Sequence, residues 1–205
     1  MQMIWVETFN LILKSIINLK TKKMKNMKFL TTLLLVSSLF IGCSKDDAPQ
    51  AVNEEEVITT LTVTLVPNDG TSEITLQTRD LDGDGPNEPV ITTGNLASGV
   101  TYSGSIVLLN ETENPAENIT EEVEMESNEH QFFYTTTGGL DIITNNENVD
   151  TNGNKLGTEF TLVAGAVSSG TLTFTLRHEP TKPNTGLSDA GGETDISATF
   201  DVSVQ

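Results

Sequence analysis

Cysteine, tryptophan, histidine and basic residues are all scarce in this 205-residue chain, and each shortage removes a class of chemistry. A single cysteine, Cys43, excludes an internal disulfide and a dithiol redox pair. His130 and His178 are the only imidazoles, and neither sits in a His-Glu-x-x-His pattern. No Gly-x-Ser-x-Gly elbow occurs either, so the expectation is a protein that is not an enzyme. Paired carboxylates of the glycosidase kind could be drawn anywhere in so acidic a chain, and their abundance discriminates nothing. Beyond residue 42 there is no Trp and there are only two Tyr, Tyr102 and Tyr134. A stacking platform for sugars presents several exposed aromatics, which disfavours a typical carbohydrate-binding module. Residues 43–205 hold five bases (Lys45, Arg79, Lys155, Arg177, Lys182) against 28 acids, a net charge of −23. Scattered bases in an acidic background leave no nucleic-acid footprint. They also imply repulsion from anionic headgroups. No apolar run reaches the roughly 20 residues of a membrane span.

The first 42 residues have the opposite character, with six bases and one acid, Glu7. Charge asymmetry of this kind marks a targeting segment. Met24-Lys-Asn-Met-Lys28 forms a basic start and Phe29–Phe40 an apolar stretch, ending at Phe40-Ile41-Gly42-Cys43. That ending resembles the lipobox of bacterial lipoproteins. The resemblance implies a lipid on the Cys43 thiol, cleavage after Gly42 and an acylated new amino terminus. The chain departs from the pattern at Phe40, where Leu is usual, with Leu39 one place earlier. An ordinary secretory signal followed by a chance cysteine is the competing reading. Residues 1–23 are read as an extension upstream of a true start at Met24 or Met27, 24–42 as the signal peptide and 43–56 as an acidic tether. Within the tether, Lys45-Asp46-Asp47 resembles the export signal of surface-exposed Bacteroidetes lipoproteins, which implies an outer-membrane, cell-surface location. A mature lipoprotein carries three acyl chains at about 0.8 kcal/mol per buried CH₂, so such anchoring is effectively permanent.

From Val57 onward the dominant period is two. Leu61, Val63 and Leu65 alternate with threonines, as do Leu172, Phe174 and Leu176; Phe200, Val202 and Val204 alternate with polar residues. Alternation of this kind buries one face of a strand and wets the other. Strands are expected at 57–66, 72–79, 89–93, 101–109, 119–126, 131–136, 140–144, 159–163, 171–178 and 195–204, that at 89–93 being weakest. Gly- and Asn-rich turns punctuate them, and no helical apolar stripe is present. Residues 57–205 therefore read as one all-β antiparallel sandwich. Leu96-Ala-Ser-Gly99-Val-Thr-Tyr102 resembles the tyrosine corner of immunoglobulin-like and fibronectin type III domains, which implies an immunoglobulin-like Greek key. A buried Tyr in an ordinary hairpin is the alternative.

The leading metal candidate is Asp80-Leu-Asp82-Gly-Asp84-Gly85-Pro-Asn-Glu88. Carboxylates at alternate positions, with Gly at the sixth, match the first half of a calcium loop, and Glu88 falls at the ninth place. Ile91 stands where a bidentate Glu would be. Two readings stay open, a Ca²⁺ site using Asp80, Asp82, Asp84 and Glu88, and a solvated acidic turn. Asp150-Thr-Asn152-Gly-Asn154 echoes that spacing with weaker ligands and is read as a hairpin turn. The acidic run from Glu121 to Glu126 is read as a solvated edge strand, outward charge being a common block to edge pairing. Arg79-Asp-Leu-Asp-Gly-Asp-Gly-Pro86, Thr101–Thr112, Glu129-His-Gln-Phe-Phe-Tyr134 and Thr175-Leu-Arg-His-Glu-Pro180 are similar to a family of uncharacterised flavobacterial lipoproteins, often labelled "type 1 periplasmic binding fold superfamily". That label names a fold of two α/β lobes and nearly twice this length, whereas the periodicity here is that of strands. The function expected is a membrane-anchored, non-catalytic β-sandwich for interaction or structural roles, with a protein or glycan partner. The alternative is a solute-binding lipoprotein that delivers a small ligand to a transporter.

Overall fold

The computed structural model describes residues 56–83 and 85–205. Cys43, Lys45, Asp46, Asp47 and Asp84 lie outside the described residues, as does the signal segment.

The period of two produces the expected all-β sandwich of two packed sheets. In β1 (Thr60–Pro67), Leu61, Val63 and Leu65 are fully buried while the intervening threonines lean outward. This strand lies central in a seven-stranded sheet with β2 (Ile74–Arg79), β3 (Val90–Thr92), β5 (Thr101–Asn110), β6 (Glu117–Asn118), β8 (Ile142–Asn145) and β9 (Glu159–Ala164). The order is β3-β2-β1-β5-β9-β8, with β6 paired to β5. The facing sheet runs β4-β11-β10-β7, from β4 (Asn95–Leu96), β11 (Glu193–Val204), β10 (Ser168–His178) and β7 (His130–Thr137). Every pairing is antiparallel except the short parallel match of β4 with β11. At the β1–β2 turn the Asp69 carboxylate accepts the Thr71 amide and hydroxyl at 3.0 and 2.7 Å. Gly70 supplies the positive φ of 79° that this tight turn needs.

Between the sheets the packing centres on aromatic rings. Phe174 of β10 meets Tyr134 of β7 and Phe200 of β11 in its own sheet, with centroids 5.5 and 6.0 Å apart, and Phe160 of β9 across the sandwich at 6.0 Å. Edge-to-face and tilted rings at these distances add stabilisation beyond the area they bury. Gly104, paired with Phe160 on the neighbouring strand, leaves room for that ring, since a Cβ there would lie 2.4 Å from it.

One expected strand is a helix. Residues 119–126 were assigned to an edge strand by their alternation, but α1 spans Ile119–Met125 and buries Ile119, Thr120 and Val123. Glutamate is a good helix former and a poor strand former, and Glu121 and Glu122 occupy the first turn, where the helix dipole favours negative charge. The apolar spacing of Ile119 and Val123 is i, i+4, which reads equally as a helix face. Thr120 completes the docking, its hydroxyl accepting the Leu108 amide of β5 at 2.8 Å. A four-residue helix, α2 (Leu187–Ala190), also departs from the expectation of strands alone.

Tyr102 is buried, and its hydroxyl accepts the Ala97 amide at 2.8 Å, the backward bond of a tyrosine corner. The immunoglobulin-type Greek key that the same motif suggested is not confirmed by this strand order. Tyr102→Phe strands the Ala97 amide and is expected to lower stability by about 1–2 kcal/mol in urea unfolding, with the fold retained.

Arg79, at the end of β2, donates to Glu111 through Nε at 2.9 Å and Nη2 at 2.7 Å, a bidentate pair that ties β2 to the chain leaving β5. The Arg79 and Thr60 hydrogen bonds hold the Glu111 carboxyl down at about 2, against an ordinary 4.5. A depressed carboxyl stabilises the fold fully above its unfolded pKa and loses that contribution as pH falls through the folded one. The melting-temperature gap between the wild type and Glu111→Gln should therefore be widest above about pH 4.5 and close towards pH 2.

Candidate functional site

The inward rows of β10 and β7 do not end in leucine and phenylalanine. On β10 the buried sequence Leu172, Phe174, Leu176 continues to His178, and on β7 Tyr134 and Phe132 lead back to His130, directly opposite His178. The two rings meet edge to face with centroids 4.6 Å apart. A third group arrives through a fault in the ladder. Leu176 pairs with Ile196 and Arg177 with Thr194, so Asp195 is the extra residue of a β-bulge in β11. Ile196, Ala198 and Phe200 face inward, and strict alternation would send Asp195 outward; a bulge re-aims a side chain. Its carboxylate is 2 % exposed and reaches within 3.8 Å of His130 Nε2. A fourth group comes from the segment that leads into β1 of the opposite sheet. Glu56, placed in the tether by sequence, lies just before β1 with its side chain 5 % exposed, 2.9 Å from His130 Nε2 and 3.8 Å from His178 Nδ1.

The four side chains form a buried imidazole–carboxylate cluster, with one ligand-type atom from each lying within 4.8 Å of all the others. Burial opposes charge on His130, but the Glu56 hydrogen bond and carboxylate charge outweigh it and hold the imidazole above its ordinary pKa. Burial likewise works to raise Glu56, and the His130 bond and charge overcome it, leaving this carboxyl below its usual range. On α1, Glu122 is raised, first by burial and then by the charges of Glu56, Glu126 and Glu117. The polar accounting inside the cluster does not close. His178 Nε2 and Glu56 Oε2 are buried and have no hydrogen-bond partner among the described residues. A second grouping, Glu129, His178 and Glu179, shares one imidazole but has two exposed carboxylates.

Beside this cluster a lysine supplies a counter-charge. Lys182, with 5 % of its side chain exposed, donates to Ser127 O at 2.7 Å, to His130 O, and to Asp150 Oδ2 at 3.2 Å. Asp150 also accepts the Asn152 and Asn154 amides at 2.9 and 2.8 Å. The Asp150–Asn154 segment is thus the hairpin turn expected from sequence, and its cation is an ammonium. Burial pushes Lys182 below its ordinary pKa against the pull of Asp150.

The acidic loop behaves differently. Asp80 Oδ1 accepts the amides of Asp82 and Gly83 at 3.3 and 3.0 Å, and Asp82 Oδ2 accepts from the Asn87 side chain at 2.7 Å. Asp82 and Glu88 are exposed and Asp80 is half-buried. Among the described residues they are not gathered to ligand distance. The buried cluster was not found from sequence, where His178 was read as the end of a strand. The inward parity of both histidines was a usable signal, because each extends an apolar row by one step; the bulge that turns Asp195 inward leaves no such trace.

Against the outer side of β7 lies a cleft of about 330 Å³, lined in part by Gln131, Tyr134, Glu147, Lys155 and Asn184. Compared with models of protein families, with curated proteins and with solved structures, the chain matches none.

Breaking a buried ion pair leaves an uncompensated charge, so Lys182→Met should cost about 3–5 kcal/mol in urea unfolding. Adding Asp150→Asn removes the stranded charge and should recover part of that loss, a non-additivity that a double-mutant cycle would measure.

Proposed function

We propose that this chain is an outer-membrane, lipid-anchored β-sandwich with a non-catalytic role in interaction or envelope structure, displayed at the cell surface. The observation that carries the reading is the filled interior of the sandwich. Leu61, Leu65, Leu108, Leu162, Phe174 and Phe200, from both sheets, are fully buried against one another. A partner must then be met by the outside of the domain. β3 closes one side of the seven-stranded sheet, pairs with β2 alone, and exposes Val90 and Ile91. An edge of this kind suits a protein partner adding a strand better than a glycan, which would ask for exposed aromatic rings.

Delivery of a small solute is the second reading, favoured by the cleft beside β7. At about 330 Å³ it stands at the low end of ligand-pocket sizes, and polar side chains rather than an apolar floor line much of it. The balance favours the interaction module.

Cells grown with a tagged palmitate analogue should label the chain and place it in the outer-membrane fraction. Both results should vanish in Cys43→Ser, and protease added to intact wild-type cells should remove the 57–205 domain. An unlabelled, freely soluble wild-type protein would overturn the anchor; a labelled chain that resists protease would keep the anchor and move the domain inside.

A further inference from the structure

We propose that Glu56, His130, His178 and Asp195 form a binding site for one divalent transition-metal ion of the zinc class, which joins the two sheets from within. Two imidazoles and two carboxylates, contributed by four separate segments, make a four-ligand N₂O₂ set of groups that each bind zinc. Calcium and magnesium prefer oxygen throughout and would gain little from the histidines.

The dimensions suit the ion. Four ligands at zinc's usual 2.0–2.1 Å stand roughly 3.3 Å from one another in a tetrahedron. Here Glu56 Oε1 is 2.9 Å and Asp195 Oδ2 3.8 Å from His130 Nε2, Glu56 Oε2 is 3.8 Å from His178 Nδ1, and one ligand atom from each residue lies within 4.8 Å of all the others, so side-chain rotations that draw the set inward would bring it to ligand distance. His130 is also oriented as a metal-bound imidazole is. Its Nδ1 lies 3.2 Å from the Glu126 carbonyl, which can only accept, so Nδ1 carries the proton and Nε2 faces the carboxylates. Ligating histidines commonly hand their second N–H to a carbonyl in this way.

The unmatched buried atoms point in the same direction. Orphaned polar atoms in a buried cluster are rare because each loses its solvation without recompense. His178 Nε2 and Glu56 Oε2 are two such atoms within one cluster. A flip of the His178 ring that turns Nε2 in place of Nδ1 toward Glu56 would let one cation partner both atoms.

The arrangement also does something for the fold. Glu56 precedes β1 in one sheet, while His130, His178 and Asp195 belong to β7, β10 and β11 of the other. An ion held by all four acts as a cross-link in a chain whose only cysteine leaves none available.

With only two histidines in the chain, the imidazole NMR signals report the site without any mutation in it. The full chain carrying Cys43→Ser, with no histidine tag, would be stripped with chelator and titrated with Zn²⁺. One equivalent is expected to move both sets of imidazole signals in slow exchange, and to raise the melting temperature by several degrees, reversibly on chelation. Calcium at the same concentration should leave both imidazoles where they are. His178→Gln should abolish tight binding; should that variant fail to fold, the wild-type titration decides alone. The proposal is overturned if neither imidazole moves at one equivalent, if calcium moves them equally, or if only His178 responds, which would put the ion on the exposed Glu129–Glu179 pair.

Discussion

The sandwich depends on the contact between its two sheets, because no disulfide within the described residues braces them. Phe174 occupies the middle of that contact, with rings from β7, β9 and β11 around it. Its neighbours are placed by the period of two along each strand, so the seam is a direct product of alternation. Gly104 shows how closely the seam is cut. The ring of Phe160 lies over it, and any side chain at that position would hold the sheets apart.

The strands were legible in the sequence to the extent that they alternate. β1, β5, β10 and β11 carry the clearest patterns, and each lies within a residue or a few of its expected span. α1 was misread for an instructive reason. Over a stretch as short as Ile119–Met125, one buried residue every second place and one every fourth overlap, and only the glutamates tipped the balance toward helix. The tyrosine corner shows a different limit. The Tyr102 hydrogen bond follows from a local motif, whereas the order of strands depends on long connections that the Leu96–Tyr102 resemblance does not constrain.

The buried cluster shows the same division between local and distant information. Sequence parity places His130 and His178 on the inward faces of their strands, and strand pairing then makes them neighbours. Asp195 and Glu56 join them for reasons that are not local, a one-residue bulge in β11 and the docking of the segment before β1. Each of the four is an expensive group to bury alone. Their mutual proximity offsets part of that expense, and the hydrogen bonds that remain unmade mark where the offset is incomplete.

The two acidic turns differ in where their positive charge comes from. At Asp150 it is Lys182, part of the same chain and always present at the same concentration as the turn it serves. Among the described residues, no lysine or arginine forms an ion pair with Asp80, Asp82 or Glu88. A counter-ion drawn from the solvent varies with what the solvent holds, whereas one built into the sequence does not. The Asp150 hairpin carries its counter-ion by inheritance and should keep one shape as the ions around it change.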